Sequence, residues 1–282
     1  MIELGANRYG KSAIHVVRVV RDPAGHLVRD VMVAIALEGN FTRAHTDGDN
    51  ALVIATDTMK NTAYAFAKDR LGGSIEAYGR ALAEHFAAFD QVDRATVDLR
   101  EQAWLPIDVA GSRAGDAFVR GGQWLRVARI SATANGTTIE AGVEDLVVMK
   151  TTRSGFSGFP RDRYTTLPET DDRLMATRIS ARWRYGSPDL DADVAFDAVR
   201  TTLLETFADH DSPSVQASLW LMARAILDRH EQVEEITMVL PNLHHWLADL
   251  APFGLANDGE VYVSTTEPHG LIEATVRRGE DA

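Results

Sequence analysis

The sequence predicts an α+β fold in which antiparallel sheets are covered by helices on one face, and three observations predict it. Val- and Ile-rich runs of about ten residues flank a turn near the N-terminus, stretches with apolar residues at spacings of three and four follow, and the order strands, helix, strands comes twice. The chain has 282 residues, 45% apolar and 25% charged, and a prior of roughly 150 residues per domain gives about two domains. The boundary falls near Asn135, giving two similar units at 1–135 and 136–282.

Each element has a local reason. Ser12 to Arg21 and Leu27 to Leu37 are dense in β-branched residues, and Asp22-Pro23-Ala24-Gly25 between them supplies turn chemistry, so they read as a hairpin. Strands this long suggest a broad sheet or a barrel. A third apolar stretch, Ala51 to Ala55, reads as another strand. Between Ser74 and Phe89, Ile75, Tyr78, Leu82, Phe86 and Phe89 share one helical face. Strand-like runs follow at Ala95 to Trp104 and Ala117 to Ser131, then the turn Asn135-Gly136. The second half offers strands at Thr138 to Thr151 and Ala176 to Tyr185. Two helices come next, one with Phe196, Val199, Leu203 and Phe207 on a face, the other with Val215, Leu219, Met222, Ile226 and Leu227. Strands at Glu235 to Leu240 and Glu260 to Thr265 close the series.

Composition and absent motifs narrow the function. With 29 Lys and Arg against 41 Asp and Glu the formal charge is -12, which repels a polyphosphate and argues against a nucleic-acid partner. The longest apolar run, Val31 to Leu37, is far short of the ~20 residues that cross a bilayer, and no signal-peptide blocks open the chain, so a soluble intracellular protein without a membrane partner is expected. There is no cysteine for disulfides, thiolate metal sites or a thiol nucleophile. His230-Glu231 begins like a zincin helix, but Glu234 stands where the second histidine belongs. The doublets Gly72-Gly73 and Gly121-Gly122 do not extend to nucleotide-binding loops, and Gly155-Phe156-Ser157-Gly158 is one residue short of a nucleophile elbow.

Functional residue types concentrate in a few stretches. In Tyr9-Gly10-Lys11 the lysine is either a solvated charge or, if buried, a base of lowered pKa. Ala55 to Thr62 is a polar cluster whose plain reading is a strand exit followed by a helix N-cap. The segment from Lys150 to Arg173, with Phe156, Phe159, Arg161, Tyr164 and Leu167, is too long and too aromatic for an ordinary linker. Ser212 and Pro213 open a helix whose free N–H groups suit an anion, with Gln216 beside them, although a plainly capped helix is the competing reading. Leu240-Pro241-Asn242-Leu243-His244-His245-Trp246 ends a strand with an amide and imidazoles. Together these groups would suit a flat, anionic, amide-bearing heterocycle, Arg and Gln reading its edge and Phe its face.

Several of these stretches resemble the urate oxidase (uricase) family, in the family's order: Tyr9-Gly10-Lys11, Val53 to Thr62, Gly158 to Leu167 with Asp172-Arg173, Ser214-Val215-Gln216, and Leu240 to His244, with Gly270 to Val276 also similar. The resemblance implies tandem tunnelling-fold (T-fold) domains that assemble into barrels and a homotetramer with a central tunnel. It implies oxidation of urate by O2 and water to 5-hydroxyisourate and hydrogen peroxide with no cofactor and no metal, at sites between subunits. By resemblance Arg173 and Gln216 clamp urate, Phe156 stacks on it, Val215 donates its backbone N–H, Leu167 lines the pocket, and Thr56 and Asp57 reach in from a neighbouring subunit. Lys11, Thr56 and His244 resemble the proton relay, and Asn242 lies near the oxygen or water position.

One departure stands out. Where relatives often carry His-x-His-x-Phe, this chain has Ala114-Gly115-Asp116-Ala117-Phe118. It also ends in Arg278-Gly279-Glu280-Asp281-Ala282 rather than a peroxisomal tripeptide, and a bacterial cytoplasm is the expected location. A pterin-binding T-fold enzyme is the competing activity, but Gln216 stands where an acidic anchor would be expected. A non-catalytic purine binder is disfavoured by the intact Lys11, Thr56 and Arg173.

Overall fold

The computed structural model describes residues 2–279. Glu280 to Ala282, on which the expected location partly rests, lie outside the described residues. The chain divides into two compact units, Met1–Val143 with Trp183–Asp197, and Glu144–Arg182 with Ala198–Ala282.

In the first unit, β1 (Tyr9–Asp22) and β2 (Gly25–Gly39) form the expected long hairpin, and β3 (Val92–Glu101) and β6 (Leu125–Thr133) extend it antiparallel in the order β1-β2-β3-β6. Val31, Val33, Ile35 and Leu37 alternate inward along β2, as a strand with one covered face requires. Helix α3 (Ile75–Ala87) covers β3 and β6 with Ile75, Tyr78, Leu82 and Phe86, all fully buried. A side chain at Gly79 would put its Cβ 2.5 Å from Leu99 Cδ1 and 2.6 Å from Ile130 Cδ1, so glycine sets how closely that helix lies on the sheet. Beneath it Arg126 pairs with buried Glu76 at 2.6 Å and with Asp193 at 2.6 Å.

Two expectations are corrected in this unit. Ala51 to Ala55 is not a strand but a turn into helix α2 (Thr56–Arg70), after the short α1 (Thr42–Thr46). The reason is local: the Tyr9 hydroxyl accepts from Ile54 N at 2.8 Å and donates to Ile54 O at 3.2 Å, so these backbone groups need no strand partner. Helix α2 itself buries mainly Met59, Ala63 and Ala67, a small-residue face with little periodic apolar contrast. The run Ala117 to Ser131 breaks in two, because Gly121 donates to Ala103 O at 2.8 Å and Gly122 turns the chain at φ +56. β5 (Ser112–Arg120) instead pairs with β4 (Trp104–Val109) in a separate two-stranded sheet, and Ala114 to Phe118 lie within it.

In the second unit the end of β7 (Gly136–Lys150) is followed by β8 (Met175–Tyr185) and β9 (Val233–Leu247). Helix α4 (Ala192–Ala208), whose residues up to Asp197 belong to the first unit, buries Phe196, Val199, Leu203 and Phe207, and α5 (Val215–Arg229) packs on β9 and β11 (Leu271–Arg277). Strand β9 runs past the expected Leu240 to Leu247, so Asn242 and His244 lie within it. Its register explains this. β11 pairs from Arg277↔Glu235 to Leu271↔Pro241, and β10 (Tyr262–Thr265) continues from Thr265↔His244 to Tyr262↔Leu247. Between them Thr266 to Gly270 leave the ladder opposite Asn242 and Leu243, and Gly270 O accepts from Asn242 N at 2.8 Å.

Candidate active site

The first unit carries Lys11, Thr56 and Asp57. Lys11 pairs with Ile35 and Ile14 with Val33, so Ser12 and Ala13 form a bulge opposite Ala34, with Ala13 at φ +56. Residues directly opposite in a ladder share a face. Tyr9, Lys11, Ile14 and Val16 therefore all lie on the helix-covered side, an arrangement that unbroken alternation would forbid. The lysine is half-buried at the edge of that face, and α2 packs on β1 beside it.

Neither Thr56 nor Asp57 is the N-cap that the plain reading allowed. Ala55 occupies that position without a side-chain bond, and Thr56 and Asp57 open the helix. Asp57 accepts from Lys60 and, at 3.0 Å, from Asn61 Nδ2; the Lys60 bond above all, with Lys11 a smaller contributor, holds its carboxyl below the usual range. Among the described residues no hydrogen bond engages the Thr56 hydroxyl.

The second unit carries the remaining candidates. Phe156, Leu167, Arg173, Asn242 and His244 all line one cavity of about 350 Å³, together with Trp246. Phe156 is fixed by its backbone exchange with Thr170, at 2.8 and 3.1 Å. Its ring stacks on Phe159 at 4.9 Å, and the Arg173 guanidinium lies 5.3 Å from its centroid. Arg173 in turn follows Asp172, whose carboxylate takes the Thr152 hydroxyl at 2.6 Å and Ser154 N at 3.2 Å. The Thr152 bond is the main reason that carboxyl titrates below its ordinary range. Gly155 lets the segments meet, since a Cβ there would lie 3.1 Å from the carbonyl oxygens of Thr170 and Asp171.

Arg173 is the electrostatic centre of the cavity. Burial lowers its pKa, its Nε is buried with no hydrogen-bond partner, and no carboxylate pairs with it among the described residues. His244 is held below the ordinary imidazole range, first by burial and then by Arg173, His269 and His245, which keeps it neutral near pH 7. A half-buried cation with an unpartnered Nε, beside neutral imidazole and an amide, is chemistry for a flat anion.

Val215 and Gln216 are not among the residues that line this cavity. They form the first turn of α5, where Ser214 caps Ala217 N at 3.2 Å, Val215 is buried and Gln216 is exposed. Among the described residues nothing accepts from the backbone N–H of Val215 or Gln216, as a helix start leaves them. The turn is tied to Phe156 through Ser212, which exchanges backbone hydrogen bonds of 2.8 Å with Arg153 O and Gly155 N.

Sequence reasoning missed Trp246, whose ring stacks on His244 at 5.4 Å and 19°. Period two would have found it once β9 was carried past Pro241, since Asn242, His244 and Trp246 then share a face. It also missed Asp172 as the organiser of Arg173 and His269 as a neighbour of His244, both of which depend on distant segments meeting.

Comparison with known proteins identifies the family. The chain matches the uricase family over residues 7–131 and 139–273. It is 43% identical to the uricase of Arthrobacter globiformis over 278 residues, 98% of this chain and 90% of that one. It is 37% identical to the uricase of Dictyostelium discoideum over 282 residues, 99% of this chain and 98% of that one. The crystal structure of the Arthrobacter uricase superposes with a TM-score of 0.94, covering 100% of this chain and 97% of that one. The antiparallel sheets with their covering helices are thus those of the T-fold, and the chain belongs to the uricase family.

Proposed function

We propose that the chain is a urate oxidase that converts urate, O2 and water into 5-hydroxyisourate and hydrogen peroxide with no cofactor. One observation carries the site assignment: Arg173, buried at Nε and unpaired, lies over Phe156 in a cavity shared with Asn242 and His244. An anionic oxopurine supplies the missing acceptor. Arg173 grips its charged edge, Gln216 and Val215 N–H meet the opposite amide edge, Phe156 lies against its face and Leu167 closes the wall.

Removing protons makes urate electron-rich, and the dianion gives electrons singly to O2. Water then adds at the oxidised carbon, and O2 leaves as peroxide. The protein's part is charge, orientation and proton traffic. Lys11, presented by its bulge near enough to Asp57 to lower that carboxyl's pKa, takes and passes the protons with Thr56 and His244, while Asn242 holds the oxygen or water position. Lys11, Thr56 and Asp57 act on urate held by a neighbouring subunit, so the active form is a homotetramer with sites shared between chains.

The test is direct: the full chain, with its mass in solution measured, is given urate in air. Loss of near-ultraviolet urate absorbance, with O2 consumed and peroxide released in equal amounts and no effect of chelators, is expected. Persistence of urate with a tetrameric protein would overturn the proposal.

A further inference from the structure

A polar chain in the second unit is buried more deeply than capping of α5 requires. Ser212 and Ser218 are 2% and 1% exposed, and their hydroxyl oxygens lie 2.7 Å apart. Ser218 Oγ is 2.7 Å from His210 Nε2, and His210 Nδ1 is 2.7 Å from Thr206 O. A carbonyl only accepts, so Nδ1 carries a proton, and Nε2 and the Ser218 hydroxyl share the second bond of the ring. The Ser218 and Ser212 hydroxyls share the next bond. A buried network whose members all have hydrogen-bond partners holds them in a restricted arrangement.

The ends of this chain matter. Val215 and Gln216 lie between Ser212 and Ser218, so the bond between the two hydroxyls closes a clasp across the turn that carries them. Ser214 O lies 3.1 Å from Ser212 Oγ and 3.3 Å from Ser218 Oγ, inside the same clasp. On its other side Ser212 is bonded through its backbone to Arg153 O and Gly155 N, directly before Phe156. Ser212 Oγ also sits 3.5 Å from Met175 Sδ, two residues beyond Arg173.

We propose that Ser212, Ser218 and His210 are positioning residues for the oxidation, forming a clasp that sets the first turn of α5 against Phe156 so that the edge and face contacts to the oxopurine are made together. The proposal rests on the reading of Phe156, Val215 and Gln216 as substrate contacts. None of the three clasp residues touches substrate. Their work is to remove slack between two segments that are otherwise joined by two backbone hydrogen bonds and an exposed Arg153–Asp211 ion pair at 3.5 Å.

The experiment uses the assembled full chain and Ser218→Ala. KM for urate and Kd for xanthine, an oxopurine used as a non-reacting probe, are expected to rise together by about 5- to 20-fold, the scale of one lost buried hydrogen bond, while kcat stays within about threefold. Thr202→Val is the control, because Thr202 Oγ1 makes a comparable 2.8 Å bond to His230 Nε2 beyond the other end of α5. It should lower the thermal midpoint and leave KM and Kd in place. If Ser218→Ala does not assemble, His210→Gln at the partly exposed end of the chain is measured instead, with the same expectation. Unchanged KM and Kd in the variant, or an equal rise in Thr202→Val, would overturn the clasp while leaving the oxidase reading intact. An unmodified chain that neither oxidises urate nor binds xanthine would overturn both.

Discussion

Replacing Arg173 by methionine keeps most of the side-chain volume and removes the charge. In the free protein that charge is half-buried, its Nε is shielded, and no carboxylate repays its lost hydration among the described residues. Stability should therefore hold within about 0.5 kcal/mol or rise, since no partner is stranded and a desolvation cost is relieved. Binding should move the other way. Truncating one member of a desolvated, hydrogen-bonded charge pair costs about 2 to 5 kcal/mol, and half-burial places Arg173 near the low end, so Kd for xanthine should rise by about 30- to 150-fold. Calorimetric titration with xanthine and chemical denaturation of the same preparation measure the two quantities. Opposite movement is the mark of a residue kept for its ligand. A variant that binds xanthine as well as the parent refutes the clamp, and one that loses stability in step with affinity shows Arg173 to be structural.

Other consequences are equally specific. Lys11→Met should lower kcat by about 10²- to 10⁴-fold, the range for a lost general base, with xanthine affinity changed less than threefold; equal losses in stopped-flow turnover and binding would argue against a base. His244 has its pKa lowered by burial, Arg173, His269 and His245, so its neutral form carries the activity, and the stability it contributes is present above the ordinary imidazole range and lost as pH falls through the lowered value. His269→Gln removes one of those causes and should shift the acid limb of kcat/KM, and the His244 ring-proton titration followed by NMR, to higher pH; an unmoved limb contradicts the assignment. Tyr9→Phe strips both partners from the Ile54 backbone and should cost about 1 to 3 kcal/mol in urea denaturation. Its kcat should fall more than its KM, because Thr56 stands two residues on.

The hairpin, α3, α4 and α5 were legible because their apolar spacing is set by a single covered face, which a sequence displays directly. Helix α2 was legible only at its start, as a possible N-cap, since the alanines at 63 and 67 that it buries give little apolar contrast along the sequence. The turn at Ala51 to Ala55 was hidden for another reason: Ile54 is satisfied by a tyrosine hydroxyl 45 residues away, and nothing local reveals it. Within the site, Phe156, Leu167, Arg173, Asn242 and His244 were each named from short stretches and meet in one cavity. The bulge at Ala13 decides that Lys11 faces the covered side, and a bulge depends on partner register rather than on the strand's own residues.

The net charge of -12 and an anionic substrate are in tension only at long range. At physiological ionic strength charges more than about 8 Å apart in water are largely screened, so capture is decided by the groups that touch the ligand. There the balance is reversed. Asp172, the acid nearest Arg173 in sequence, directs its carboxylate to Thr152 and Ser154, and His244 stays neutral instead of competing as a second cation. With the Asp172 carboxylate engaged by Thr152 and Ser154, Arg173 is the cation in the cavity that is left without a partner among the described residues, and on the proposed reading it orients a planar anion edge-on with its face toward Phe156. A second fixed cation would bind urate more tightly but would also stabilise it against giving up an electron. On the proposed reading, a single guanidinium at the edge, with protons withdrawn from elsewhere on the ring, would hold the substrate without quenching the electron richness on which a reaction with O2 depends.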